Sequence, residues 1–192
     1  MNPLLLIIAG PNGAGKTTTA MHLLPNVLHI KHFVNADLIA KGLSPFDPAE
    51  ADWTAAKIMV ERMQQLTDGR ESFAVETTLA SRSFVSVIKR CQQAGYLTQL
   101  LFIALADAKL AKQRVAQRVC RGGHDVPDDV VERRFYLGLK NFFEIYMKHV
   151  DLWTFAENID NGYVKIAEQT LNGEVAIHDE TRFFYYRELV KT

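Results

Sequence analysis

One stretch near the N-terminus, Ile7-Ile8-Ala9-Gly10-Pro11-Asn12-Gly13-Ala14-Gly15-Lys16-Thr17-Thr18, constrains this chain more than any other. An apolar run from Leu4 to Ile8 leads into it, and residues able to open a helix follow. That is the context a G-x-x-x-x-G-K-[ST] phosphate loop requires. Glycines at 10, 13 and 15 let the backbone fold tightly enough for its N–H groups to converge on a phosphate chain. The helix that follows adds its positive N-terminal end. Lys16 is suited to place an ammonium on the terminal phosphates, and the Thr17 hydroxyl to take a coordination site on magnesium. The pattern implies a nucleoside-triphosphate site built from Gly10, Pro11, Asn12, Gly13, Ala14, Gly15, Lys16, Thr17 and Thr18. The bland alternative is a Gly-rich turn that binds nothing. A complete pattern between strand and helix argues against it.

The chain has 192 residues, 48% of them hydrophobic, enough for one substantial core, so a single domain over 1–192 is expected. Formal charge is zero, which gives no global field favouring nucleic acid or a membrane surface. Cys91 and Cys120 are isolated, without C-x-x-C spacing, and read as reduced, semi-buried packing residues of a cytoplasmic protein. The apolar start lacks a charged n-region and a cleavage site, and no run approaches the ~20 apolar residues of a membrane span. Neither a signal peptide nor a membrane partner is expected.

Further along, strand and helix patterns alternate. His32-Phe33-Val34-Asn35 reads as a short strand, with Asp37 opening the next turn. Asp47-Pro48-Ala49-Glu50 offers an N-cap and capping box, and the helix behind it is expected to bury Trp53, Ala56, Val60 and Met63. Ser72–Val75 is a strand ending at Glu76-Thr77-Thr78. Ser83 begins a helix with Phe84, Ile88 and Cys91 inward, closed by Gly95. Thr98–Ala104 is apolar throughout, as in a strand covered on both faces. Asp107 caps a helix with Ala111, Val115 and Val119 facing the core and Arg114, Arg118 and Arg121 on another face. A Gly122-Gly123-His124-Asp125 loop follows, then a long helix with Val131, Phe135, Gly138, Phe142 and Ile145 inward and Arg133-Arg134 in its opening turns. Leu152–Ala156 is a last core strand. Lys165–Asp179 reads as a hairpin around Asn172-Gly173, and a terminal helix ends the chain. The expected architecture is α/β: a three-layer, nucleotide-kinase-like sandwich with a mainly parallel sheet, an arginine-rich lid over about 118–134, and a C-terminal β-hairpin plus helix.

Ligands of such sheets bind at the carboxyl ends of the strands. Asp37 follows the second strand, Glu76 ends the third, and Lys16 with Thr17 follow the first, so two carboxylates and a phosphate-gripping lysine converge on one rim. Phosphoryl transfer to an alcohol needs a carboxylate near the acceptor oxygen, cations around the moving group and a metal on the phosphates. Asp37 is the candidate base; the competing role for it is a helix N-cap. Glu76 is suited either to magnesium or to the acceptor, or else to pairing with Arg82. Five arginines around a glycine-hinged loop suit a lid closing over triphosphate, with Arg118 and Arg134 as the preferred catalytic pair and Arg121 as a further nucleotide contact. His124 reads as a lid hydrogen-bonder. His29 and His32 lack carboxylate or cysteine company, so no metal site is read there.

The phosphate loop, F-V-N-A-D at 33–37, F-A-V-E-T-T-L-A-S-R at 73–82, R-V-A-Q-R-V-C-R-G-G-H-D-V-P at 114–127 and R-R-F at 133–135 resemble the zeta-toxin family of small P-loop kinases, in its short bacterial branch. The likeness runs from about residue 4 to 161. It implies ATP as donor with Mg2+, Lys16 on the phosphates, Asp37 as base, and lid arginines on the γ-phosphate. It also implies an acceptor site lined by Asn35, Glu76, Thr77 and Arg82. The best-known members phosphorylate a sugar hydroxyl of UDP-N-acetylglucosamine, which makes a nucleotide-sugar the implied small acceptor and an antitoxin protein the implied partner. Two competing classes are a nucleotide-dependent switch ATPase without an acceptor and a polynucleotide kinase. The first has no use for a carboxylate at the rim. The second needs a basic groove for its strand, which is not found outside the lid, so nucleic acid is not an expected partner. ABC-type ATPases share the loop style, but their L-S-G-G-Q stretch and terminal Asp-Glu are missing.

Overall fold

The structure is a computed structural model describing residues 2–123, 125–159 and 162–191. Seven strands among the described residues form one sheet in the order β2-β3-β1-β4-β5-β6-β7. These are β1 (Leu4–Ala9), β2 (His32–Val34), β3 (Phe73–Thr77), β4 (Leu97–Ala104), β5 (Leu152–Ile159), β6 (Gly162–Gln169) and β7 (Val175–Ile177). The first five in that order pair in parallel, and β5-β6-β7 are antiparallel. The helices are α1 (Lys16–Leu23), α2 (Ala36–Leu43), α3 (Asp52–Asp68), α4 (Phe84–Gln93), α5 (Ala108–Cys120), α6 (Asp128–Glu144) and α7 (Glu180–Glu188).

Strand β1 explains the three layers. Alternate residues of a strand face opposite sides, yet every one of its side chains from Leu5 to Ala9 is buried. Leu5 and Ile7 join a core with Met59 and Met63 of α3, Ile88 of α4, Phe142 of α6 and Tyr186 of α7. Leu6 and Ile8 join a second core with Ala20 of α1, Ala111 and Val115 of α5, and Phe135 of α6. Helices therefore cover both faces of the parallel strands, as a run without polar alternation demands. The expected three-layer α/β sandwich is the fold found, and β7 with the Thr170–Glu174 turn forms the hairpin at the sheet's edge.

Several local expectations shift. The core stripe of α3 is Ala55, Met59, Met63 and Leu66 rather than the one centred on Trp53, which is 78% exposed, and Val60, which is 57% exposed. The reason is the neighbour: α2 packs close through Ala40 against Ala51 and Ala55, a contact that only small side chains permit. Asp47 precedes a 3₁₀ turn (Pro48–Ala51) and its side chain caps nothing. Val119 turns partly outward near the end of α5, and Cys120 is exposed while Cys91 is buried and free. Asp107 does cap α5, accepting from Leu110 N at 2.7 Å. The final hairpin reaches back further than Lys165, because β5 continues to Ile159 and β6 begins at Gly162. Among the described residues no helix is long and apolar enough to cross a membrane.

The corrected stripe fixes the expected stability pattern. Met59→Ala should cost about 2–5 kcal/mol, whereas Trp53→Ala should stay within about 0.5 kcal/mol. Urea denaturation of the two variants checks the assignment.

Candidate active site

The parallel register delivers the site. Val34 pairs with Val75 and Ile8 with Glu76, so the ends of β2, β3 and β1 lie at one edge. There β1 gives way to the phosphate loop at Gly10. Its φ of 141° is open to glycine alone, and a Cβ would stand 2.1 Å from the Ile103 carbonyl oxygen. The loop therefore hugs the end of β4 while its remaining glycines turn back toward α1.

Lys16 is buried, and its ammonium donates to the Pro11 carbonyl at 3.0 Å and faces Glu76 at 3.6 Å. Burial pulls its pKa below the ordinary lysine range, while the charges of Glu76 and then Asp37 work against that shift. Glu76 is the hub. Its Oε2 accepts from the Thr17 hydroxyl at 2.8 Å and from the Asn35 amide at 2.6 Å. Asn35 serves twice, because its Oδ1 also caps α2 by accepting from Leu38 N at 3.1 Å. Asp37 is thus not the N-cap. It stands exposed in the first turn of α2, near enough for its charge to support the Lys16 ammonium.

A cleft of about 570 Å³ opens over the loop. Gly13, Gly15, Lys16, Thr17 and Thr18 form its floor and Glu76 one wall. Arg114, Gln117 and Arg118 of α5, with Arg121, Gly122 and Gly123 beyond it, form the opposite wall. The arginine stripe thus lines the cleft, with Arg114 and Arg118 half-buried and Arg121 exposed. Arg134 sits half-buried on α6 and Arg82 is exposed before α4; neither lines the cleft. Glu76 turns to Lys16 and not to Arg82. The Thr77 hydroxyl accepts from Leu79 N at 3.1 Å, closing its own turn. His124 lies outside the described residues. Lys41 and Gln117 line the cleft without having been singled out from sequence. Their signal was helical spacing: Lys41 is four residues from Asp37, and Gln117 three from Arg114.

The donor set fits a hard divalent cation only in part. Thr17 and Glu76 offer oxygens 2.8 Å apart, but no group of three or more metal-ligating His, Cys, Asp or Glu residues occurs among the described residues. Magnesium, which keeps waters and leans on substrate phosphates, would need only such a partial protein donor set.

A family model described as an AAA domain, AAA_33, matches residues 5–144, well over half of the chain. An uncharacterized protein of Haemophilus influenzae is 25% identical over 130 residues, covering 68% of this chain and 91% of that protein. Among solved structures, an AvrRxo1-ORF1:AvrRxo1-ORF2 complex with sulphate ions matches at a TM-score of 0.80 and 18% identity. The match covers 96% of this chain, which spans only 63% of the length of that one. The same complex with ATP matches equally well. The PezAT chromosomal toxin-antitoxin system of Streptococcus pneumoniae matches at 0.63 and 14%, covering 99% of this chain and 86% of that one. At such identities the likeness is one of fold, a three-layer α/β P-loop fold.

The Lys16–Glu76 contact should be strongly coupled. Glu76→Ala leaves a buried ammonium without its carboxylate and should cost about 3 kcal/mol of stability, and adding Lys16→Met should recover part of it. A double-mutant cycle by chemical denaturation measures the coupling.

Proposed function

This chain belongs to the AAA_33 family of AAA domains, and from that premise we propose that it is an ATP-dependent kinase acting on a hydroxyl of a small acceptor. The observation that supports the reading is the Lys16–Glu76 contact in a cleft also lined by Arg114, Arg118 and Arg121, with Asp37 exposed nearby in the first turn of α2. A fold shared with a complex solved with ATP supports ATP as the donor. UDP-N-acetylglucosamine is the first acceptor to try. The fold shared with a toxin-antitoxin system supports an antitoxin-like protein as a candidate partner. Donor and acceptor of these classes put the reaction in the cytoplasm.

In this reading, backbone N–H groups of residues 13–18 and the Lys16 ammonium hold the β- and γ-phosphates. Arg114, Arg118 and Arg121 spread cationic charge over the outer oxygens. Asp37 stands near Lys16 on the acceptor side and takes the proton of the incoming hydroxyl. The new O–P bond forms as the bridge between γ- and β-phosphates breaks, and ADP leaves with the bridging oxygen. Thr17 and Glu76 would hold magnesium, which when bound neutralises phosphate charge. Asn35 keeps Glu76 in place and starts α2, so it sets the position of Asp37 as well. Lys41, one helical turn beyond Asp37, adds a cation between the phosphate cleft and the acceptor side.

Lys16→Ala and Asp37→Asn should each abolish ADP formation in the presence of the acceptor. For Asp37→Asn, turnover should fall by about 10²–10⁴-fold while ATP affinity stays within about twofold, because the carboxylate acts on the hydroxyl. Steady-state kinetics paired with calorimetric ATP binding checks both. Full turnover by Asp37→Asn would remove the base assignment.

A further inference from the structure

The β5–β6 hairpin lies beyond residues 5–144, the span shared with the family model, yet it reaches the phosphate loop. Asn158, near the end of β5, donates its side-chain N–H to the Ala14 carbonyl at 2.9 Å. Its Nδ2 also stands 3.5 Å from the phenolic oxygen of Tyr163, on β6. That phenol sits 2.7 Å from the Thr19 hydroxyl, which in turn donates to the Gly15 carbonyl at 3.0 Å. Because the Thr19 hydrogen is spent on Gly15, Tyr163 must be the donor in the hydroxyl pair. The result is one oriented chain, from the Asn158 amide through Tyr163 and Thr19 to the loop backbone.

What this chain grips decides its meaning. The C=O and N–H of a trans peptide point in opposite directions within its plane, and among the described residues no peptide is cis. Holding the Ala14 carbonyl against the hairpin therefore turns the Gly15 N–H the other way, toward the cleft. Holding the Gly15 carbonyl, through the Thr19 hydroxyl and the Thr19 N–H at 2.9 Å, does the same for the Lys16 N–H. These are the two central amides of an anion cradle. Gly15 has φ of 84°, and as glycine it imposes little barrier of its own to a flip of the flanking peptide. A flipped Ala14–Gly15 peptide would aim a carbonyl at the phosphates. The hairpin also closes the back of the loop. A Cβ on Gly15 would stand 2.9 Å from Asn158 Nδ2 and 3.1 Å from the Tyr163 oxygen. The hairpin is itself braced from behind. Glu157, buried beside Asn158, accepts from Arg182 of α7 at 2.9 Å, and the backbone N–H groups of His178 and Asp179 return to the Ile166 carbonyl of β6.

We propose that Asn158 and Tyr163 are positioning residues for the donor: they lock the phosphate loop from behind in its anion-binding shape. The C-terminal quarter of the chain is thereby part of the nucleotide site without touching the nucleotide. The proposal rests on the loop binding a triphosphate and is independent of the acceptor.

The test is calorimetric titration of the full-length protein with Mg-ATP and, separately, with Mg-tripolyphosphate, which carries the phosphates without base or ribose. Tyr163→Phe removes the hydroxyl that links Asn158 to Thr19 and should weaken both ligands by about fivefold, with the unliganded melting temperature unchanged. Asn158→Ala should weaken both by about tenfold or more. Asn158→Asp keeps the size, loses the donor and faces a carbonyl with a carboxylate, so it should be worse than Ala. Tyr163→Phe folds with its ring in place, which keeps the test decisive where an Asn158 variant does not fold. Wild-type affinity in Tyr163→Phe and Asn158→Ala overturns the proposal. So does a loss for ATP with none for tripolyphosphate, which would make these residues contacts of the nucleoside. A wild-type protein that binds neither ligand removes the triphosphate reading itself, whereas tight ATP binding without acceptor turnover removes the kinase reading and leaves this one standing.

Discussion

The rest of the site depends on one buried contact, the Lys16 ammonium against the Glu76 carboxylate. Desolvating an ammonium is expensive, and a lone buried lysine would shed its proton. Glu76 works against that loss and the Pro11 carbonyl accepts from the ammonium, and Glu76 is in turn fixed by Thr17 and Asn35. A lysine so held is ready for a phosphate without first having to be dehydrated. Since attraction and desolvation nearly cancel in such pairs, the contact contributes geometry more than stability. It also ties the loop after β1 to the end of β3 and, through Asn35, to the start of α2.

That link works because the sheet supplies the register. Parallel pairing of β2, β3 and β1 puts Asn35, Glu76 and the phosphate loop side by side, however far apart they lie in sequence. The loops are then free to carry chemistry while apolar cores on both faces hold the strands. The same logic reaches the far side. Antiparallel β6 folds back on β5 and returns Tyr163 to the loop that β1 began.

What the sequence disclosed follows the strength of each local signal. The phosphate loop was legible because its chemistry demands particular residues at fixed spacing. β1, β4 and the Asn172-Gly173 turn were legible because an apolar run or a turn with a left-handed glycine admits few structures. The face of α3 was misjudged because the large Trp53 suggested burial, while the true neighbour, α2, required alanines. Asp37 was the cap candidate and Asn35 was read as the end of a strand, whereas the backbone turn makes Asn35 the cap. Asn158 and Tyr163 carried no motif at all. Their partners Ala14 and Thr19 are each 144 positions distant, a separation at which periodicity and capping rules say nothing.

The charge distribution completes the picture. The chain is neutral as a whole, yet Lys16, Lys41, Arg114, Arg118 and Arg121 line one cleft in which Glu76 is the carboxylate. Net charge is the wrong quantity for such a molecule. At physiological ionic strength fields decay over about 8 Å, so carboxylates on distant faces do not cancel a cationic cleft with low-dielectric walls. A multiply charged phosphate is thus drawn to this cleft, while the rest of the chain carries the compensating negative charge and gives an extended polyanion little to follow. Local concentration of charge with overall neutrality is an arrangement suited to a small, multiply charged ligand.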